Sequence, residues 1–167
     1  MFIDKSDFSW TEVEFLFNLI NKYRIKLFIE TAGGYGDIAS MMIAKGLFDP
    51  DFQYLGISKD ISIVDNRIES ALLQVPQAYV VSGESQVTSY LKKLINQSSS
   101  PVAVLCDGYQ HEHDYYLYHK LLRPGDVLIF ARLPSKNAFK LLHEHEFENT
   151  MQSIPTFIPS IFAGVLL

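Results

Sequence analysis

Hydrophobic positions along the chain follow two alternating patterns. After Ser9 and Glu12, whose spacing is that of a capping box, Val13, Leu16, Phe17 and Ile20 recur at helical intervals. This predicts a leading helix within residues 9–24 whose periodicity ends near Lys22. Five short runs are apolar throughout instead: KLFIE (26–30), QYLGIS (53–58), AYVVSG (78–83), VAVLCD (102–107) and VLIFA (127–131). Helical spacing returns between them. Asp37 opens a helix with Ile38, Met41 and Met42 on one face and Gly46 as its stop. A helix around 62–73 carries Ile63, Arg67 and Ala71 on one side, with Ile68 and Leu72 adjacent. Val87, Tyr90, Leu91, Leu94 and Ile95 mark another, ending in NQSSS (96–100), and a tyrosine-rich helix runs to Leu122. Arg123-Pro-Gly-Asp126 is a turn, a helix is expected around 135–143, and two strands close the chain.

Strands that are continuous apolar runs, rather than alternating ones, belong to a parallel sheet covered on both faces. The expected fold class is α/β: a Rossmann-like, doubly wound, mostly parallel seven-stranded sheet with helices on both faces, in one domain spanning 1–167. Ligands of such sheets bind beyond the carboxyl ends of the strands, near the switch in strand order. Functional residues should therefore follow Glu30, Ser58, Gly83, Asp107 and Ala131.

Composition narrows the partners. The 167 residues are 48% hydrophobic and 20% charged, and the net charge is −5 with 14 scattered basic residues, which is not the footprint of a nucleic-acid binder. The single cysteine, Cys106, lies in an apolar run and reads as a small core residue; no internal disulfide is possible, in keeping with a cytoplasmic protein. MFIDKSDFSW lacks the basic start and apolar stretch of a secretory signal. TFIPSIFAGVLL (156–167) is too short and too broken by proline to span a bilayer, so no membrane is expected and a buried terminal strand is the better use.

The chemistry concentrates in ETAGGYGDIA (30–39), where the first strand passes into a helix through Gly33, Gly34 and Gly36. Glycine permits positive φ and close approach of a ligand, and the helix offers unpaired amides to an anionic group. A tight turn with no ligand is the alternative. Residues 34–39 also satisfy the dinucleotide pattern G-x-G-x-x-G/A, but the acid that pattern wants at the end of the second strand is displaced: Ser58 stands there and Asp60 follows. A nicotinamide-binding domain is disfavoured on that ground and by the short chain.

The order of these features resembles the class I S-adenosylmethionine-dependent methyltransferases, particularly small O-methyltransferases of bacterial tailoring pathways. Glu30, Ala32, Gly34 and Gly36 fall in the frame of the family's first motif, with alanine replacing its first glycine. The resemblance implies that Glu30 helps hold the methionine amino group and that the backbone of Ala32, Gly33, Gly34, Tyr35 and Gly36 lies against S-adenosyl-L-methionine. YLGISKD resembles the second motif, so Ser58 or Asp60 would meet the ribose; SGESQV resembles the segment beside the adenine, with Glu84 and Ser85 as candidates. VAVLCDGY matches the fourth motif, which places Asp107 toward the methyl donor, and LLRPGDVLIF resembles the family's turn and fifth strand.

Four of the five histidines form two identical triplets, His111-Glu112-His113 and His143-Glu144-His145. On a strand or loop, alternate histidines can share a metal; on a helix they point apart. The second triplet follows NAFKLL at a helix end and reads as structural. The first follows the fourth strand, making His111 or His113 a candidate general base beside Asp107; a solvated, helix-capping loop is the alternative. Tyr109, Tyr115, Tyr116 and Tyr118 could line an acceptor pocket, although Tyr115 and Tyr118 have the spacing of core residues. Cation-dependent members of the family carry a second acid after the fifth strand, where this chain has Ala131 and Arg132. No metal is therefore expected, and Arg132 either holds an anionic group or points to water. Two readings stay open: metal-independent methyl transfer to a hydroxyl of a small sugar-like or natural-product-like molecule, and a catalytically eroded binding or assembly protein. In either, a second copy or a protein partner could complete the acceptor site.

Overall fold

Ser9 caps the first helix. Its hydroxyl accepts from the Glu12 amide (3.3 Å) while the Glu12 carboxylate accepts from the Ser9 amide (2.8 Å), satisfying two orphan donors of helix α1, Trp10–Lys22. In this computed structural model, residues 8–31, 36–58, 66–83, 88–107, 111–133 and 149–167 are described. After α1 come β1 (Leu27–Thr31), α2 (Gly36–Phe48), β2 (Gln53–Ser58), α3 (Asn66–Leu72), β3 (Ala78–Ser82), α4 (Thr88–Gln97), β4 (Val102–Cys106), α5 (His111–Leu121), β5 (Val127–Phe130), β6 (Met151–Ile154) and β7 (Phe162–Leu166). The helix expected around 135–143 lies outside the described residues.

The seven strands form one sheet in the order β3-β2-β1-β4-β5-β7-β6. β1 to β5 pair in parallel, and β7 runs antiparallel between β5 and β6. β1, β2, β4 and β5 are buried almost throughout, as strands with helices over both faces must be. Alternate residues serve opposite layers. Phe28, Ala103, Leu105, Val127 and Ile129 meet α1, α2 and α3 through Leu16, Ile20, Ile38, Met42 and Ile68. Ile29, Val104, Cys106, Leu128 and Phe130 meet α4 and α5 through Leu91, Ile95, Tyr115 and Tyr118. Cys106 is thus a core residue, its thiol pushed well up by burial.

Gly46 does not stop α2, which continues to Phe48. The glycine answers a packing constraint instead. A Cβ there would lie 2.9 Å from Val75 Cγ1, and the Gly46 carbonyl accepts from Gln77 Nε2 at 2.7 Å. α2 and the chain before β3 approach too closely for a side chain.

The Arg-Pro-Gly-Asp turn is a buried electrostatic joint. The Asp126 carboxylate accepts from the Val102 amide (2.8 Å) and the Arg123 amide (2.8 Å), and pairs with the Arg123 guanidinium at 3.1 Å. The guanidinium also donates to the carbonyls of Ser98 (2.7 Å) and Ser100 (3.1 Å). One side-chain pair therefore ties the end of α4 to the starts of β4 and β5. Asp126→Ala takes the carboxylate from the Val102 and Arg123 amides and from the guanidinium, which keeps only the two serine carbonyls, and should lower stability by about 3 kcal/mol, read from urea unfolding midpoints.

Candidate active site

The strand order reverses between β1 and β4, and sheets of this kind bind ligands beyond the carboxyl ends of the strands at that switch. Glu30, near the end of β1, is only 2% exposed. Its neighbour across β2 supplies a partner: the Tyr54 hydroxyl donates to Glu30 Oε2 at 2.5 Å, from a ring packed beside Phe28 in the core. This holds a carboxylate at the rim of an apolar layer, where burial without hydrogen bonds would be costly. Thr31, the next residue, accepts from the Asp107 amide through Oγ1 (3.2 Å), stitching the two strand ends at the switch point. Gly36 opens α2 at φ 80°, a conformation that disfavours any side chain. Ser58 is buried at the end of β2, and its carbonyl accepts from the Gly83 amide beyond β3.

Asp107, directly after β4, is paired. Arg132 Nε lies 2.8 Å from Asp107 Oδ1, and the aspartate side chain is only 3% exposed. Arg132 adopts φ 56°, a left-handed conformation unusual for a residue with a side chain. The Ala131 amide bonded to the Cys106 carbonyl and the Leu133 amide bonded to the Ser160 carbonyl fix the chain on either side of it. Its guanidinium carbon lies 5.1 Å from the Phe8 ring centroid. Beside it, Glu12 Oε1 accepts from Ser160 Oγ at 2.6 Å. Burial raises the Glu12 carboxyl, but the bonds from Ser160 and Ser9 and the charge of Arg132 outweigh it and hold the group below its ordinary value.

The first histidine triplet lies on α5, which separates its members. His111, the first helical residue, places Nε2 2.8 Å from the Ala131 carbonyl, its ring edge-on to Phe130. A carbonyl only accepts, so Nε2 carries the hydrogen and Nδ1 is the proton-accepting nitrogen of neutral His111. His113 is 69% exposed and 3.8 Å from Asp114. Tyr115 and Tyr118 are buried in the layer beneath, as their spacing predicts, while Tyr116 is exposed. The candidates Ala32, Gly33, Gly34, Tyr35, Asp60, Glu84 and Ser85, with Tyr109, His143 and His145, lie outside the described residues. The structure therefore brings Asp107, Arg132 and the Ala131 carbonyl bonded to His111 to the ends of β4 and β5, with Glu30 and Thr31 across the switch.

No protein-family model matches the chain, and no curated protein matches its sequence. Solved structures do match its fold. A methyltransferase from Geobacter sulfurreducens superimposes with a TM-score of 0.71 at 10% identity, covering 96% of this chain and 80% of that one. The O-methyltransferase TomG from Streptomyces achromogenes, involved in tomaymycin synthesis and solved with S-adenosylmethionine, gives 0.63 at 17% identity, covering 95% and 81%. MycE from the mycinamycin biosynthetic pathway, solved with magnesium, S-adenosylhomocysteine and mycinamycin VI, gives 0.58 at 12% identity; the chain covers 49% of its length. The protein has the fold of the class I S-adenosylmethionine-dependent methyltransferases.

Two measurements test the supports of this site. Tyr54→Phe keeps the ring and deletes the bond to Glu30, and should cost about 1–3 kcal/mol of stability. Glu12 is held low in the folded state, so its contribution is present above its ordinary value of 4.5 and is lost as pH falls through the folded value. Ser160→Ala should therefore destabilise the protein at pH 7 more than at pH 3.

Proposed function

We propose that the protein is an S-adenosylmethionine-dependent methyltransferase acting on a hydroxyl of a small, sugar-like or natural-product-like molecule without a metal ion. The observation that carries this reading is the buried, Tyr54-bonded Glu30 at the switch of a sheet with the methyltransferase strand order. TomG, of the same fold, was solved with the methyl donor. The described residues that would hold the donor are Glu30 at its amino group, Gly36, whose φ of 80° marks the turn into α2, and Ser58 at its ribose. When bound, the donor supplies an electrophilic methyl group on a sulfonium. The chain's own work is then to orient the acceptor oxygen and remove its proton. His111 Nδ1 is the group assigned to that proton, with the Ala131 carbonyl fixing the tautomer.

Magnesium is present in the MycE structure, but these residues do not fit it. A hard cation takes six or more oxygen ligands. Here Asp107 is occupied by a guanidinium, Ala131 offers no side-chain oxygen, and no cluster of three His, Cys, Asp or Glu suited to a metal occurs among the described residues. No helix among them is long and apolar enough to cross a membrane. Ser58 in place of a ribose-binding acid, and the pairing of Asp107, favour the second reading, a catalytically eroded binding protein.

Calorimetry with S-adenosylhomocysteine should show binding below millimolar concentration, lost on Glu30→Ala. His111→Asn should keep that binding and slow methyl transfer by about 10²–10⁴. No heat or thermal shift at millimolar ligand removes the methyltransferase reading, and binding without turnover across a broad hydroxyl panel selects the eroded one.

A further inference from the structure

We infer that Arg132 is a tethered counter-ion occupying the cation seat at Asp107, so that removing its charge converts this metal-free site into a divalent-cation site. The inference deepens the metal-independent methyltransferase reading and rests on it for what the site is used for; the ion exchange itself rests on geometry.

Asp107 is sealed at the end of β4, and its Oδ1 meets Arg132 Nε at 2.8 Å. A carboxylate that deeply desolvated must be paired, protonated or coordinated. The guanidinium is held there by more than attraction. Arg132 accepts a left-handed backbone, which a residue with a side chain keeps only where its surroundings impose it. Those surroundings are the flanking amides of Ala131 and Leu133, bonded to Cys106 and Ser160. Phe8 packs against the guanidinium, and Glu12 adds a second negative charge to its field. A positive centre is thus built into the chain where Asp107 would otherwise attract one from solution. Magnesium in MycE shows that this fold can host a free cation. Here the tethered charge excludes it by occupancy and by repulsion. Shortening the side chain vacates room for a hydrated ion, which keeps several of its own waters, and aspartate at 132 adds a second oxygen donor.

The experiment is a manganese(II) titration of the full chain at pH 7, followed by calorimetry and by the electron paramagnetic resonance signal of free manganese. Wild type and Arg132→Lys should show no binding that depends on Asp107. Arg132→Asp should gain one site at least about tenfold tighter than any residual manganese binding to wild type, abolished by adding Asp107→Asn. Should Arg132→Asp fail to fold, Arg132→Gln replaces it, and its melting temperature should rise in millimolar manganese while that of wild type does not. Manganese binding to wild type that Asp107→Asn removes, or a folded neutral or acidic variant that gains none, overturns the proposal. S-adenosylhomocysteine binding is measured on the same samples. Its loss from wild type strikes the methyltransferase reading, whereas a manganese result contrary to expectation with that binding intact strikes only the role of Arg132.

Discussion

The parallel pairing of β1 with both β2 and β4 is the constraint on which the rest of the structure depends. A strand in the middle of a parallel sheet cannot turn back on itself, so each successor must be reached by a crossover. The strand order reverses between β1 and β4, and in sheets of this kind ligands bind beyond the carboxyl ends at that reversal. Thr31 and Cys106 are registered partners at that reversal, which places Glu30 and Asp107 one residue to either side. The proximity of these two buried acids follows from register; neither needs a loop to bring it there.

Two acids at one rim create an electrostatic problem, and the chain solves it differently for each. Glu30 receives a hydroxyl donor from Tyr54, a neutral partner that leaves the net charge untouched. Asp107 receives a full positive charge from Arg132. Glu12 draws on the same positive charge from farther out and on two serines close by. The acid on the β1 side is thus held by a neutral partner, while the one on the β4 side is paired with a cation of the chain.

Much of the fold was legible because continuous apolar runs and helical spacing are produced by the burial that makes the sheet. QYLGIS and VAVLCD match their strands to within a residue, and the Ser9–Glu12 box caps the helix it announces. Gly46 misled because glycine signals both a helix end and a close approach, and only the position of Val75 distinguishes them. The His111-Glu112-His113 spacing was equally ambiguous, since its meaning depends on whether the segment is helical. Tyr54 escaped notice inside an apolar strand, although a hydroxyl-bearing ring at a fully buried position does ask for a partner. Arg132 was read as holding a ligand or facing water. Its partner lies 25 residues back on an adjacent strand, a pairing that only strand order β4-β5 creates.

The solved neighbours share 10 to 17% of their residues with this chain yet keep its fold, so the fold tolerates the replacement of most side chains. The strand ends lie at the edge of the core, where a change of side chain disturbs little packing and alters much chemistry. Arginine after β5 illustrates the freedom. At this position the positive charge beside Asp107 is made with the chain itself. The Phe8 ring and a left-handed backbone hold it at one edge of the carboxylate. The charge is thus balanced inside the fold, and His111, bonded to the carbonyl immediately before Arg132, is fixed at the same strand end by the backbone that carries the guanidinium.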